Sequence, residues 1–315
     1  MVFGRNYDWI ADAGMICTNQ RGLTKTSMKA SDGNAITWTS KYGSISFNQY
    51  GKEFPTGGMN EKGLVVELMW LDGTKYPTPD DRPAIGVLQW IQYQLDNSAT
   101  VKEVIETDKV LRITSRGTPL HYLIADAGGN SATIEFLDGK MVVHQGSDLP
   151  LPVLTNDTYE LSLAANIAGT GNNNSLERFS TACSMLTSFK NGGKKENAVD
   201  YSFQILQNVA QGDFTKWSIV YDLKNRKIFF RTEKFADIKN LDFSDLSFDC
   251  TVTSKHADMN APGSGPWSEK MVDFSAELNK KITELCFVQS ASRISITEAE
   301  KTAIFAYPAQ THCSQ

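Results

Sequence analysis

The sequence predicts an α+β fold in which two helix layers flank two stacked antiparallel sheets. Three observations lead there. Strand patterns come in runs joined by turn chemistry, helical patterns come in separate blocks, and the two never alternate in the regular order of a doubly wound parallel sheet. The chain has 315 residues, with no internal repeat and no sign of a second domain, so it reads as one large domain over 1–315.

Residues 1–9 read as the end of a strand entering a turn. Residues 10–33 hold Gly14, Gly22 and Gly33 among many polar residues and read as a long loop, with Cys17-Thr18 inside it. From Ala35 to Phe47, Ile36 and Trp38, then Ile45 and Phe47, alternate on either side of a kink at Ser40-Lys41-Tyr42-Gly43, as in two half-buried strands. Turn residues at Gly57-Gly58 and Asn60-Glu61-Lys62-Gly63 lead into a largely apolar strand, Leu64 to Leu71. After a Pro-rich connector at 76–83, Ile85, Leu88, Ile91 and Leu95 keep a helical period, and Ala99 to Thr107 is a second short helix.

Strands return at 121–125, 131–137 and 141–144, the last two joined by an Asp138-Gly139 hairpin turn. Pro152 to Thr155 is expected as a short strand ending at Asn156. Helices follow over 157–167, 175–190 and 197–210, with loops at 169–174 and 191–195. A strand pair at 217–223 and 227–231 turns at Lys224-Asn225-Arg226. The part beyond about 246, with an amphipathic stretch from Met271 to Leu285, is expected at the periphery.

Composition narrows the functional classes. With 41% hydrophobic and 21% charged residues the chain is an ordinary globular protein. A formal net charge of −5 without a basic run excludes a phosphate-neutralising surface, so nucleic acid is not an expected partner. The five cysteines, Cys17, Cys183, Cys250, Cys286 and Cys313, show no C-x-x-C pair and no adjacent His at ligand spacing, so no zinc site is expected. They read either as free thiols or as one or two bridges. No apolar run reaches the roughly 20 residues of a membrane span, and no signal peptide pattern is present. G-x-S-x-G, H-E-x-x-H, Walker and G-x-G-x-x-G motifs are all missing, so no metal or cofactor is expected. The four His fall at no helpful spacing, which favours a mechanism that needs no His.

What remains is a constellation. Phe3-Gly4-Arg5-Asn6-Tyr7-Asp8-Trp9 places Arg5 and Asp8 three residues apart before a turn, where both charges would face one small volume. Thr39 to Ser44, Gly58 to Leu64, Thr155-Asn156 and Arg178-Phe179 follow it. Taken singly, each has an ordinary structural reading. Arg5 and Asp8 fit an ion pair at a strand end, Asn156 a helix cap, Arg178 a solvated helix face, and Trp9 and Trp70 core aromatics.

Taken in order, these stretches closely resemble the choloylglycine hydrolase and penicillin V acylase family, which are cysteine-nucleophile members of the N-terminal-nucleophile (Ntn) hydrolases. The resemblance covers roughly residues 3–245. It implies the four-layer αββα fold and hydrolysis of a small-molecule linear amide, such as a conjugated bile salt or a penicillin V-like substrate. It also implies a nucleophilic Cys, first residue of the mature chain, on a strand upstream of the Arg–Asp pair and therefore upstream of this sequence. The amine of such a Cys serves as general base to its thiol.

By the same resemblance Arg5 lies beside the sulfur and favours thiolate, Asp8 holds the amine, and Asn156 faces the oxyanion. Arg178 belongs to the site. Trp9, Met69 and Trp70 bind substrate, and the backbone N–H of Trp70 is the second oxyanion donor. Trp at position 70 matches the Gram-negative branch. The short segment between Asn156 and Arg178 lacks the tetramerisation insert of Gram-positive bile salt hydrolases, leaving a homo-oligomer of another kind open. The family suggests a periplasmic or secreted location. Cys17 does not qualify as the nucleophile, because processing before it would remove Arg5 and Asp8.

Overall fold

The computed structural model describes residues 1–192 and 197–314. Among these, fourteen strands form two large sheets: β1 (Val2–Asp8), β2 (Met15–Asn19), β3 (Ser44–Asn48), β4 (Pro55–Asn60), β5 (Val65–Trp70), β6 (Leu120–Ala125), β7 (Ser131–Leu137), β8 (Lys140–Gln145), β9 (Thr215–Asp222), β10 (Lys227–Thr232), β11 (Lys239–Asp242), β12 (Lys255–Asp258), β13 (Gly265–Pro266) and β14 (Val272–Asp273). The narrower sheet runs β1-β9-β10-β11-β13. The wider one runs β8-β7-β6-β5-β4-β3-β2-β12-β14. Seven helices accompany them: α1 (Val87–Asn97), α2 (Val101–Glu106), α3 (Tyr159–Ala168), α4 (Asn174–Asn191), α5 (Ala198–Asn208), α6 (Ala276–Ser290) and α7 (Glu298–Ala306).

Alternation along the strands builds the layers. In β5, Val65 points between the sheets, where it meets Phe47, Met59, Trp217 and Tyr221. Its neighbours Val66 and Leu68 point the other way, to Trp90, Ile91, Leu95, Val101 and Val104 of α1 and α2. On the far side of the narrow sheet, Val199, Phe203 and Leu206 of α5 cover Val220 of β9 and Val2 of β1. The result is the expected αββα stack. Side-chain caps set the helix starts: Thr100 and Glu103 form a reciprocal capping box at α2, and Asn173 accepts the Leu176 N–H at α4. Gly169, at φ 67°, ends α3 in the left-handed conformation that favours glycine.

Several expectations shift. The stretch 10–33, expected as loop, contains β2, so Cys17 and Thr18 lie inside the wide sheet rather than over the site. Alternation is hidden there because both faces are covered. Ile16 packs between the sheets, while Met15 and Cys17 pack under Phe287 and Cys286 of α6. Residues 152–155, expected as a strand, are extended but join no ladder: Pro152 has no N–H to give, and the Val153 N–H bonds locally to the Leu151 carbonyl. The loop expected at 191–195 lies mostly outside the described residues. The C-terminal part, expected at the periphery, supplies the last two strands, β12 and the edge strand β14, to one sheet and the edge strand β13 to the other. A disulfide, Cys250–Cys313, ties its end down, beside a pairing of His312–Cys313 with Leu23–Thr26.

One edge matters most for function. Among the described residues β1 is hydrogen-bonded along one side only, to β9. Every residue from Met1 to Trp9 lines a cavity of about 450 Å³.

Candidate active site

The cavity gathers Arg5, Asp8, Trp9, Met69, Trp70, Asn156 and Arg178, seven residues contributed by β1 and the residue after it, β5, the segment before α3, and α4. In β1 the inward positions are Phe3, Arg5 and Tyr7, all buried, so the Arg5 guanidinium is carried between the sheets. There its Nη1 lies 2.8 Å from Glu67 Oε2, its Nη2 donates to the Leu68 carbonyl at 3.0 Å, and it sits over the Tyr7 ring. Glu67 is fully buried, and its other oxygen accepts from the Tyr221 hydroxyl. Burial pushes the Glu67 carboxyl up to about 7, while Arg5 and Tyr221 pull it back. Gly57, opposite Glu67 in the ladder, is required by this pair, because a Cβ there would overlap the carboxylate. The Arg5 Nε is buried without a hydrogen-bond partner, so this fixed cation keeps a donor in hand beside the cavity.

Asp8 is placed by a bulge. The ladder between β1 and β9 is regular from Val2↔Asp222 to Tyr7↔Trp217, then slips, so that Asp8 faces Thr215 and Lys216 is left over. In the unbroken register the residue opposite Asp8 would be Lys216, whose ammonium would occupy the carboxylate. Instead Lys216 pairs with Glu233 at 3.0 Å. Asp8 accepts neutral donors, the Thr215 hydroxyl at 2.5 Å and the Gln211 amide at 2.7 Å. Among the described residues its ion-pair partner is Arg178, whose Nη1 is 4.0 Å from Asp8 Oδ2.

Arg178 also settles the orientation of Asn156. Its Nη2 donates to Asn156 Oδ1 at 2.6 Å, and Asn156 Nδ2 donates to the Trp70 carbonyl at 2.9 Å. A guanidinium has only donors, so the amide oxygen must face it, and the amide nitrogen with its two hydrogens faces the strand end. The Asn156 N–H donates to Ser175 Oγ at 2.9 Å, and Asn174 accepts from Arg178 Nε at 2.8 Å. The cap of α4 therefore belongs to Asn173 and that of α3 to Thr158. Burial lowers the Arg178 pKa, and Asp8 and Asp157 oppose that shift.

Behind Asn156 lies a buried group that sequence reasoning passed over. One ring nitrogen of His121 is 2.7 Å from the Thr155 carbonyl, and the other is 3.2 Å from Glu135. The aromatic wall is continuous. Trp9 stacks on Trp70 with ring centres 5.9 Å apart, the Trp9 indole N–H donates to Tyr50 Oη at 2.8 Å, and Tyr50 lies 5.4 Å from Phe287.

Sequence reasoning also missed Glu67, Tyr50, Gln211 and Thr215. Glu67 had a signal, a single carboxylate inside an otherwise apolar strand. The others had none, since each is defined by a partner far along the chain. The cysteines lie elsewhere: Cys17, Cys183 and Cys286 are buried with pKa values raised by burial, to about 12 for the first two, and Cys250 and Cys313 are bonded to each other. None of the five lines the cavity.

Two sheets between two helix layers, with polar residues gathered at the free edge of a strand, define an Ntn-hydrolase fold. The sequence matches the linear amide C–N hydrolases of the choloylglycine hydrolase family over residues 1–193, more than half of its length, and the chain belongs to that family. It is 27% identical over 300 residues to a penicillin V acylase of Pectobacterium atrosepticum, covering 78% of each. Among solved structures, a penicillin V acylase from Agrobacterium tumefaciens matches with a TM-score of 0.75 at 27% identity, over 87% of this chain and 94% of that one. A conjugated bile acid hydrolase from Clostridium perfringens matches in fold, at 0.68 and 19%, over 84% and 94%.

Proposed function

We propose that the cavity is the acyl-transfer site of an amidohydrolase for linear amides, either penicillin V-like N-acyl compounds or conjugated bile salts, and that its nucleophile is a Cys on a strand preceding Met1. The observation that carries this reading is the convergence of Arg5, Asp8, Asn156 and Arg178 at the free edge of β1. A strand paired there would run antiparallel to β1 and begin near Asp8. Its first α-amine would meet the Asp8 carboxylate, which neutral donors hold without consuming its charge. Arg5, beside the incoming sulfur, favours the thiolate, and the α-amine takes the thiol proton as general base.

The thiolate adds to the amide carbonyl, and the developing oxyanion is met by Asn156 Nδ2 and the Trp70 backbone N–H. Collapse breaks the C–N bond as the α-ammonium returns its proton to the departing amine, and water then hydrolyses the thioester, releasing the acid and restoring the thiol. Trp9, Met69 and Trp70 hold the acyl group. Arg178 orients Asn156 and balances Asp8. The bond between Cys250 and Cys313 supports folding in an oxidising compartment, in keeping with a periplasmic or secreted protein.

A second reading is favoured by one observation, that no Cys lines the cavity: the chain would then be an inactive relative that binds the same ligands. The genomic sequence upstream of Met1 decides between them. An in-frame Cys preceded by a signal peptide or by Met alone, with turnover of glycocholate or penicillin V by the processed product, establishes the hydrolase. A processed protein with that Cys and no turnover of either leaves the binding protein.

A further inference from the structure

The cavity is lined by β1 and Trp9, by Leu123 and Ala125 of β6 and Leu206 of α5, and one of its walls comes from far down the chain: Phe287 of α6, Ile294 and Ile296 of the connection after it, and Ile304 of α7. These residues join Tyr50 and Leu88 in one apolar cluster, and the stacked Trp9 and Trp70 face them through the Trp9–Tyr50 hydrogen bond.

The polar tips of this wall are already engaged. The Trp9 indole is taken by Tyr50 and the Trp70 indole by Asp72 at 2.5 Å, so a ligand hydroxyl placed here would find neither free. The wall also lies beyond residues 1–193, the part that matches the family.

We propose that the α6–α7 segment is the closed end of the acyl pocket and that it selects an apolar acyl group without hydroxyls, limiting its length at Ile296 and Ile304. This rests on the reading of the cavity as an amide-hydrolase site, but it concerns binding and needs no turnover. The acyl group lies along the Trp9–Trp70 pair with its carbonyl at Asn156, and its far end reaches the isoleucines. Each methylene buried on the way adds its share of apolar contact until the wall is met, about fourfold in affinity per methylene. A polyhydroxylated acyl group of similar size would leave hydroxyls without partners and would be disfavoured.

The test is calorimetric titration of the 315-residue chain with n-butyrate, n-hexanoate, n-octanoate, n-dodecanoate and cholate, the carboxylates that hydrolysis would release. Expected is an affinity that climbs about fourfold per methylene, then levels off or falls, with cholate weaker than n-octanoate. Ile296→Trp, which fills the end of the pocket, and Ile304→Phe as a second variant should move the break to a shorter chain and leave n-butyrate unchanged. Equal affinities along the series, cholate binding more tightly than n-octanoate, no binding of any carboxylate, or a break unmoved in both folded variants would each overturn the proposal. Failure of the hydrolase reading shows separately, as a processed Cys-bearing protein that binds this series and releases no acid from any amide.

Discussion

Arg178 Nη2 and Asn156 Oδ1 lie 2.6 Å apart, and this one bond decides which end of the Asn156 amide points at the Trp70 carbonyl at the end of β5. A side chain on α4 thus fixes the hydrogen-bonding polarity of a residue 22 positions earlier. In the chain preceded by a segment whose processed first residue is Cys, Asn156→Ala should lower kcat by about 10²–10³-fold with little change in KM, because it removes an interaction made in the transition state. Arg178→Gln should lower kcat by less, since it frees the amide to flip without deleting it. Trp70→Ala, whose backbone donor survives, should mainly raise KM. Steady-state kinetics on one amide substrate separates the three, and an Asn156→Ala enzyme with unchanged kcat would remove the oxyanion assignment.

The burial of Cys17, Cys183 and Cys286 predicts that the 315-residue chain has no thiol-dependent amidase activity of its own. Assays on glycocholate and penicillin V should give no turnover, and iodoacetamide should label the native protein slowly at all three thiols. Turnover that disappears on alkylation of Cys17 would overturn this.

Much of the fold was legible from the residues alone. The Leu64 to Leu71 strand, the 131–137 and 141–144 hairpin and the three helices after Asn156 follow from local periodicity and turn chemistry, which act over a few residues. Arg5, Asp8, Asn156 and Arg178 were legible as a set through the resemblance of their motifs, and the structure brings them together. What escaped is what sequence distance hides. β2 looked like loop because both its faces are covered, one by α6 from the far end of the chain. Glu67 looked like a strand residue because its partners, Arg5 and Tyr221, lie more than 60 and 150 positions away. Lys216 gave no hint of the bulge that keeps it from Asp8.

Glu67 makes stability depend on pH. Its carboxyl is raised from 4.5 to about 7 by burial, so the folded state favours the protonated form. The stabilisation is complete below the unfolded value and is lost as pH rises through about 7, a span on the order of 3 kcal/mol. Urea midpoints of the native chain should therefore fall between about pH 5 and about pH 7.5 more steeply than those of Glu67→Gln. Parallel slopes would mean that Arg5 keeps Glu67 ionised across the whole range.

The Cys250–Cys313 bond closes a span of 63 residues that holds β12, β13, β14, α6 and α7. Cys313→Ser or mild reduction should cost about 2–4 kcal/mol of stability, read as a lower urea midpoint. Loss of protection should begin in α6 and α7, visible as faster amide exchange there than in β9 and β10. Uniform loosening of both regions would show that the bond steadies the whole domain.

The pairing of β1 with β9 also sets a clock on synthesis. Asp8 meets Gln211 and Thr215 across more than 200 positions, so β1 must wait for β9, the next strand of the narrow sheet to be made. At about 5–20 residues per second that delay is roughly 10 to 40 s. During it Asp8 is on the nascent chain without Gln211 and Thr215. A nucleophile carried just ahead of Asp8 would stay unactivated until two thirds of the polypeptide had emerged, so the order of translation itself holds the chemistry back until the pocket is closed around it.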